Sequence, residues 1–149
     1  MKQAKRYCGT CTACCTTHGI PSINKAPGDA CPKLAGRCSI YEGRPAECRD
    51  FDCLWLQGMF DGADRPDRLG VVASVTSEDR EQYEHGHALV LYEAYPGGFE
   101  KAFGFITKMA QKILVIVVRL DRTREVLGPP GEVARAKATA ARFLAMARQ

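Results

Sequence analysis

All eight cysteines of this 149-residue chain fall between Cys8 and Cys53, and the 96 residues that follow contain none. They are Cys8, Cys11, Cys14, Cys15, Cys31, Cys38, Cys48 and Cys53. Inert core thiols would be scattered through the whole chain. A disulfide framework belongs to oxidising compartments. The N-terminus is basic, Met1-Lys2-Gln3-Ala4-Lys5-Arg6, with no apolar stretch after it, and so does not read as a secretory signal. The longest aliphatic run, Ile113 to Val118, is far short of the roughly 20 apolar residues of a membrane-spanning helix. A cytoplasmic chain follows as the expectation, and in that compartment clustered thiols point to metal ligation. Several soft thiolates must then meet at one point, and short Cys-x-x-Cys loops supply that geometry.

Composition agrees with a folded chain: 46% hydrophobic and 26% charged. The formal net charge of +4 is spread along the sequence rather than gathered into a basic stripe. Nucleic-acid binding is disfavoured on that ground. The count takes thiols as neutral. Two tetrahedral zinc sites of four thiolates each would bring the sum down by 4, so the modest excess of Lys and Arg balances a metal–thiolate centre.

Cys8, Cys11 and Cys14 form C-x-x-C-x-x-C, the spacing with which ferredoxin loops hold three corners of a four-iron cluster. In those loops the remaining ligand is remote and precedes proline, as Cys31 precedes Pro32 here. The small residues Gly9, Thr10, Thr12 and Ala13 leave backbone N–H groups free to point at sulfur. Adjacent Cys14 and Cys15 do not easily face one small ion, so they would serve two centres, or one would stand outside the ligand shell. From Cys31 to Cys53 the spacings are wider than those of zinc fingers or ribbons. Arg37, Arg44 and Arg49 each lie near a cysteine, where they offset thiolate charge or are simply solvated.

The run C-x-x-C-x-x-C-C, then Cys31-Pro-x-Leu, then Arg37-Cys38-x-Ile-Tyr-x-x-Arg-Pro-x-x-Cys48-Arg-x-Phe-x-Cys53-x-Trp, resembles the YkgJ-like cysteine-cluster family, also described as a zinc- or iron-chelating or Fe–S-cluster-containing domain. A related cluster occurs in flagellin lysine-N-methylases. The resemblance covers about residues 8–55. It implies that all eight cysteines are candidate ligands, and it leaves iron and zinc open. It carries no methylase activity here, because that activity belongs to much larger chains and no glycine-rich nucleotide loop follows a strand.

The cysteine-free part reads as β-β-α-β-β-α. Strands are expected at 70–76, 87–92, 112–120 and 125–127, with helices at 99–111 and 132–148. The helix at 99–111 carries a core stripe of Phe99, Ala102, Phe103, Ile106, Met109 and Ala110, continued by Ile113. Residues 61–68 read as a linker or long turn. The expected fold is α+β: a loop-rich cysteine and metal module over residues 1–60, with a short helix near 51–59, and a small α+β layer over residues 61–149 whose terminal helix packs on the sheet. Trp55 and Tyr41 read as packing around the module. His18 is a candidate to replace one cysteine, and His85 and His87, spaced to share a strand face, are candidates to pair with Glu84. No nucleophile and base are paired by the sequence, so no enzymatic activity is assigned.

Three functions follow in order of fit. The first is an iron–sulfur protein with a redox or accessory role. The second is a zinc protein in which one or two ions build the module and the α+β part acts as an interaction domain for a protein partner. The third is a metal chelator or chaperone, which requires exposed, exchangeable thiolates.

Overall fold

The computed structural model describes residues 6–75 and 88–147, with the side chains of Thr139 and Phe143 excepted. Four strands form one mixed sheet, in the order β3 (Val71–Ser74), β4 (Leu89–Glu93), β5 (Val115–Val118) and β6 (Arg124–Leu127). β4 runs antiparallel to β3, parallel to β5, and β5 antiparallel to β6. The parallel step is bridged by helix α4 (Gly98–Ala110), as a parallel pair requires a long crossover. The α+β layer and its element order are those expected from the sequence.

Both sheet faces are covered, which explains why β3, β4 and β5 are apolar almost without alternation. On one face Val71, Ala73, Leu89, Leu91, Val115 and Val117 meet Ala102 and Ile106 of α4. Gly98, Ala102 and Ile106 repeat every four residues and form the buried stripe of that helix. Phe103, expected in the stripe, is instead exposed, and its ring meets Phe99 edge-on at 6.2 Å. On the other face Val90, Ile116, Ala88 and Leu114 meet Ala136 and Val133 of α5 (Pro130–Met146). Among the described side chains of α5, those that meet the sheet lie in its first half; Lys137, Ala138, Ala140, Ala141, Arg142 and Leu144 are exposed.

Glu93, 6% exposed at the end of β4, joins three elements. Its carboxylate accepts the N–H of Phe99 at the start of α4 and that of Leu120 beyond β5, each at 3.2 Å. Arg119 lies 3.4 Å from it and stacks on the Phe99 ring at 4.0 Å. A carboxylate at a helix N-terminus meets unpaired N–H groups and the positive end of the helix dipole.

The N-terminal region contains short elements: α1 (Cys14–Thr17), the two-residue strands β1 (Leu34–Ala35) and β2 (Arg37–Cys38), and α2 (Ala46–Asp50). The helix expected near 51–59 is not formed; the helical residues lie earlier, behind Pro45. Residues 51–53 carry no regular secondary structure, with Phe51 extended, and the Leu54 N–H bonds the carbonyl of Ala73 on the open edge of β3 at 2.9 Å. This edge bond outweighs local helix preference. It places Leu54 with the α4-facing core, and Cys53 and Trp55 with Val72 on the opposite face. Residues 61–68 are also more ordered than a linker. They hold a 3-10 turn at Gly62–Asp64 and helix α3 (Pro66–Leu69), braced by an Arg65–Asp67 ion pair at 2.7 Å.

Candidate metal centre

The cysteines do not all stand together. Cys8, Cys11, Cys14 and Cys53 line one small cavity of about 30 Å³, closed by Phe51, Trp55, Leu56, Pro66 and Val72. Three come from the N-terminal loop and the turn of α1. The fourth is brought in by the edge bond at Leu54. The remote partner of the C-x-x-C-x-x-C run is thus Cys53, whereas Cys31 stands with Cys15, its N–H bonding the Cys15 carbonyl at 3.0 Å. Burial raises the Cys48 thiol above its ordinary range, and the charges of Cys15, Cys31 and Cys38 add to this. Consecutive helical residues point about 100° apart, and of the adjacent pair on α1 Cys14 lines the cavity whereas Cys15 does not, although their thiols are hydrogen-bonded. Cys31 and Cys53 are buried, and the other six are partly exposed. As the side chains stand, no three His, Cys, Asp or Glu groups among the described residues converge into a ligand shell.

The electrostatics of the first group fit a thiophilic ion or cluster. Burial raises the Cys8, Cys11 and Cys53 thiols above their ordinary range; neighbouring thiols raise Cys8 and Cys53 further, and the Asp67 carboxylate raises Cys11. Cys14 is pushed up chiefly by the hydrogen bond its S–H donates to Cys15, then by burial. Cys15 is drawn down to about 7 by the same bond, with Lys25 assisting. Four thiols with raised proton affinity, held this close together, lose their protons together only against a strong local cation. Backbone N–H groups are already aimed at them: Ala13 and Asp67 at Cys11, Trp55 and Leu56 at Cys53. Such donors stabilise thiolate charge and orient the ligands. Arg44 adds positive charge near Cys8, and Arg65 near Cys11. Arg49 is turned elsewhere, donating to the carbonyl of Arg44 at 3.1 Å.

Trp55 is buried over this group. Its Nε1–H donates to the carbonyls of Asp61 and Gly62 at 3.1 and 3.3 Å, while Arg6 lies over the ring at 5.1 Å. Tyr41 is half exposed and carries the Arg44 guanidinium at 4.0 Å. His18 sits between Phe51 and Tyr92, at 4.0 and 4.9 Å, with Nδ1 2.6 Å from the Thr17 hydroxyl. His85, His87 and Glu84 lie outside the described residues.

Burial lowers the His18 pKa from its ordinary 6.5 to about 4, and the nearby Lys25 charge adds to this. The folded protein therefore holds a proton on His18 less tightly than the unfolded chain. Between those two values the unfolded chain binds more protons, so this contribution favours unfolding increasingly as pH falls from about 6.5 to about 4. We expect His18→Gln to recover up to about 3 kcal/mol of that acid loss. Denaturation curves of both proteins at pH 7 and at pH 4.5 check it; equal losses in the two would refute it.

Lys25 is the residue that sequence reasoning missed. It is 5% exposed, yet its ammonium is fully satisfied by the carbonyls of Thr16, His18 and Ala26 at 3.0, 2.5 and 3.1 Å. A paired backbone bridge to Ile20 holds it across the turn Pro21–Asn24. Its sequence neighbours Asn24 and Ala26 gave no signal that it turns inward. Lys25→Met keeps the stem and removes the donors: the carbonyls of Thr16 and Ala26 keep the N–H groups of Gly28 and Asp29, and that of His18 loses its donor. We expect a loss of about 3 kcal/mol, read by urea denaturation.

No family model matches the chain, and neither a curated protein nor a solved structure matches it.

Proposed function

We propose that the chain is a YkgJ-like cysteine-cluster protein that binds metal, holding an iron–sulfur cluster on Cys8, Cys11, Cys14 and Cys53 with a redox or accessory role. The observation that carries this reading is the meeting of the C-x-x-C-x-x-C run with Cys53 in one apolar cavity. A cluster held there would exchange single electrons. The chain's own part is to exclude water with Trp55 and Phe51 and to hold the thiolates with backbone N–H groups. Arg44 and Arg65 bring positive charge to the site.

A zinc ion is the second reading. The cavity volume of about 30 Å³ supports it, since that space matches a single ion better than a four-iron cluster. Metal and acid-labile sulfide content, with an absorption spectrum on protein purified without air, tests both. About four irons with sulfide and a broad band near 400 nm support the cluster. Zinc without a visible band supports the second reading and moves the functional question to the surface of the sheet layer. Protein that carries no metal in either form refutes both.

A further inference from the structure

The turn Cys8-Gly9-Thr10-Cys11 has little of its own to hold it. One backbone bond closes it, from the Cys11 N–H to the Cys8 carbonyl at 2.9 Å. Gly9 stands in the left-handed region at φ +58°, and both Gly9 and Thr10 are exposed. The entropy of so short a loop works against a fixed spacing of its two thiols.

A support reaches this turn from 55 residues further along the chain. Arg65 Nη2 donates to the Thr10 hydroxyl oxygen at 3.3 Å. The guanidinium lies against Gly9, where a Cβ would stand 3.6 Å from Nη1. Its plane is fixed, because Nε and Nη2 each donate to one oxygen of the Asp67 carboxylate at 2.7 Å. A planar fork held at two points has little freedom left to turn away from the loop. The Asp67 N–H is itself aimed at the Cys11 sulfur.

Arg65 is in turn well anchored. It precedes α3, and its carbonyl takes the N–H groups of Arg68 and Leu69 at 2.8 Å. The next residue, Pro66, is buried and lines the cavity with Cys8 and Cys11. The Gly70 N–H bonds the Pro66 carbonyl at 2.9 Å, and the Gly70 carbonyl takes the N–H of Ala94, just beyond β4, at 2.9 Å. Bonded groups thus run without a break from the sheet through α3 to the Cys8–Cys11 turn.

We propose that Arg65 is a positioning residue for the first cysteine group: its guanidinium, fixed by Asp67, holds the Cys8–Cys11 turn against α3 and so sets how tightly that group keeps a metal. The proposal rests on the metal-binding reading above and is the same for a cluster or a zinc ion. Groups that orient metal ligands from outside the ligand shell typically change metal retention by about 10- to 100-fold. Arg65 and Asp67 bring opposite charges to the Cys11 thiol. Removing one or the other therefore acts in opposite directions on the thiolates.

The experiment measures how much EDTA strips the metal from the full chain as purified. The metal counted is the part that Cys53→Ser lacks. Arg65→Gln is expected to lose it at about tenfold lower EDTA. Thr10→Val leaves the Arg65–Asp67 pair in place and removes only its link to the turn; a loss at roughly two- to threefold lower EDTA is expected. Asp67→Asn keeps an acceptor oxygen and removes the negative charge, and is expected to need about twofold more EDTA than wild type. A role confined to bracing α3 gives the other pattern: Arg65→Gln and Asp67→Asn weaken retention alike and Thr10→Val leaves it unchanged. That pattern, or wild-type retention in Arg65→Gln, overturns the proposal. Should Arg65→Gln not accumulate, the exposed Thr10→Val decides, and unchanged retention there overturns it. These results leave the metal-binding reading intact, whereas wild-type protein without any metal overturns both.

Discussion

Cys53→Ser is expected to empty the first cysteine group and to lower the unfolding transition of the sheet layer along with it. Cys53 lies between the other thiols of this group and the apolar core: it is 9% exposed and packs with Trp55 and Val72. Its neighbour Leu54 bonds the edge of β3. A metal held by Cys8, Cys11, Cys14 and Cys53 would therefore tie the N-terminal loop to the sheet. Structural thiolate metal contributes on the order of 10 kcal/mol to a small module. Three thiolates and a hydroxyl retain much less of it. In metal-free protein the same substitution removes only a sulfur's worth of packing, about 1 kcal/mol. The check is thermal unfolding of wild type and variant, each before and after metal removal. A large difference that vanishes without metal is the expected result. Full metal content and an unchanged melting temperature in the variant refute the assignment of Cys53.

Gly98→Ala is the second large effect, and it needs no metal. Gly70, at φ +99°, and Gly98, the first residue of α4, cross backbone to backbone. A methyl on either one is driven into the other's carbonyl and Cα, with no side chain able to swing aside. The Ala94 N–H bonds the Gly70 carbonyl at 2.9 Å, and Glu93 holds the N–H of Phe99, so neither segment is free to retreat. Overpacking of this kind costs about 3 kcal/mol, and Gly70→Ala adds the strain of a left-handed backbone. Gly104→Ala, at an exposed interior position of the same helix with open space around it, is expected to stabilise by about 0.5–1 kcal/mol. Urea denaturation of the three variants checks the contrast. A Gly98→Ala protein as stable as wild type would show that the crossing yields.

The strands at Val71–Ser74, Leu89–Glu93 and Val115–Val118 and the helix Gly98–Ala110 were legible because their periodicity and composition are local properties. Phe103 was misplaced because helical spacing gives a face but not its edges, and the face is decided by the close approach that Gly98, Ala102 and Ile106 allow. The helix expected near residues 51–59 was misplaced for a different reason. Its apolar run Leu54-Trp55 is used by β3, a partner separated in sequence by the whole 61–68 segment.

The cysteine pattern by itself determined that thiols dominate this chain's chemistry, that they are confined to its first third, and that Cys14 and Cys15 would not share one small site comfortably. Those conclusions depend on residue identity and spacing alone. Which thiols stand together was decided by tertiary structure. Cys53 joins Cys8, Cys11 and Cys14 because an edge hydrogen bond on β3 fixes the chain on either side of Leu54, while Cys31 is held to Cys15 by a backbone bond. The inward turn of Lys25 was equally invisible, since a lysine is normally solvated and three converging carbonyls exist only once the loop has closed. Spacing along a chain limits which ligands can be neighbours. Only the closed loops and the sheet edge, acting over tens of residues, choose among them.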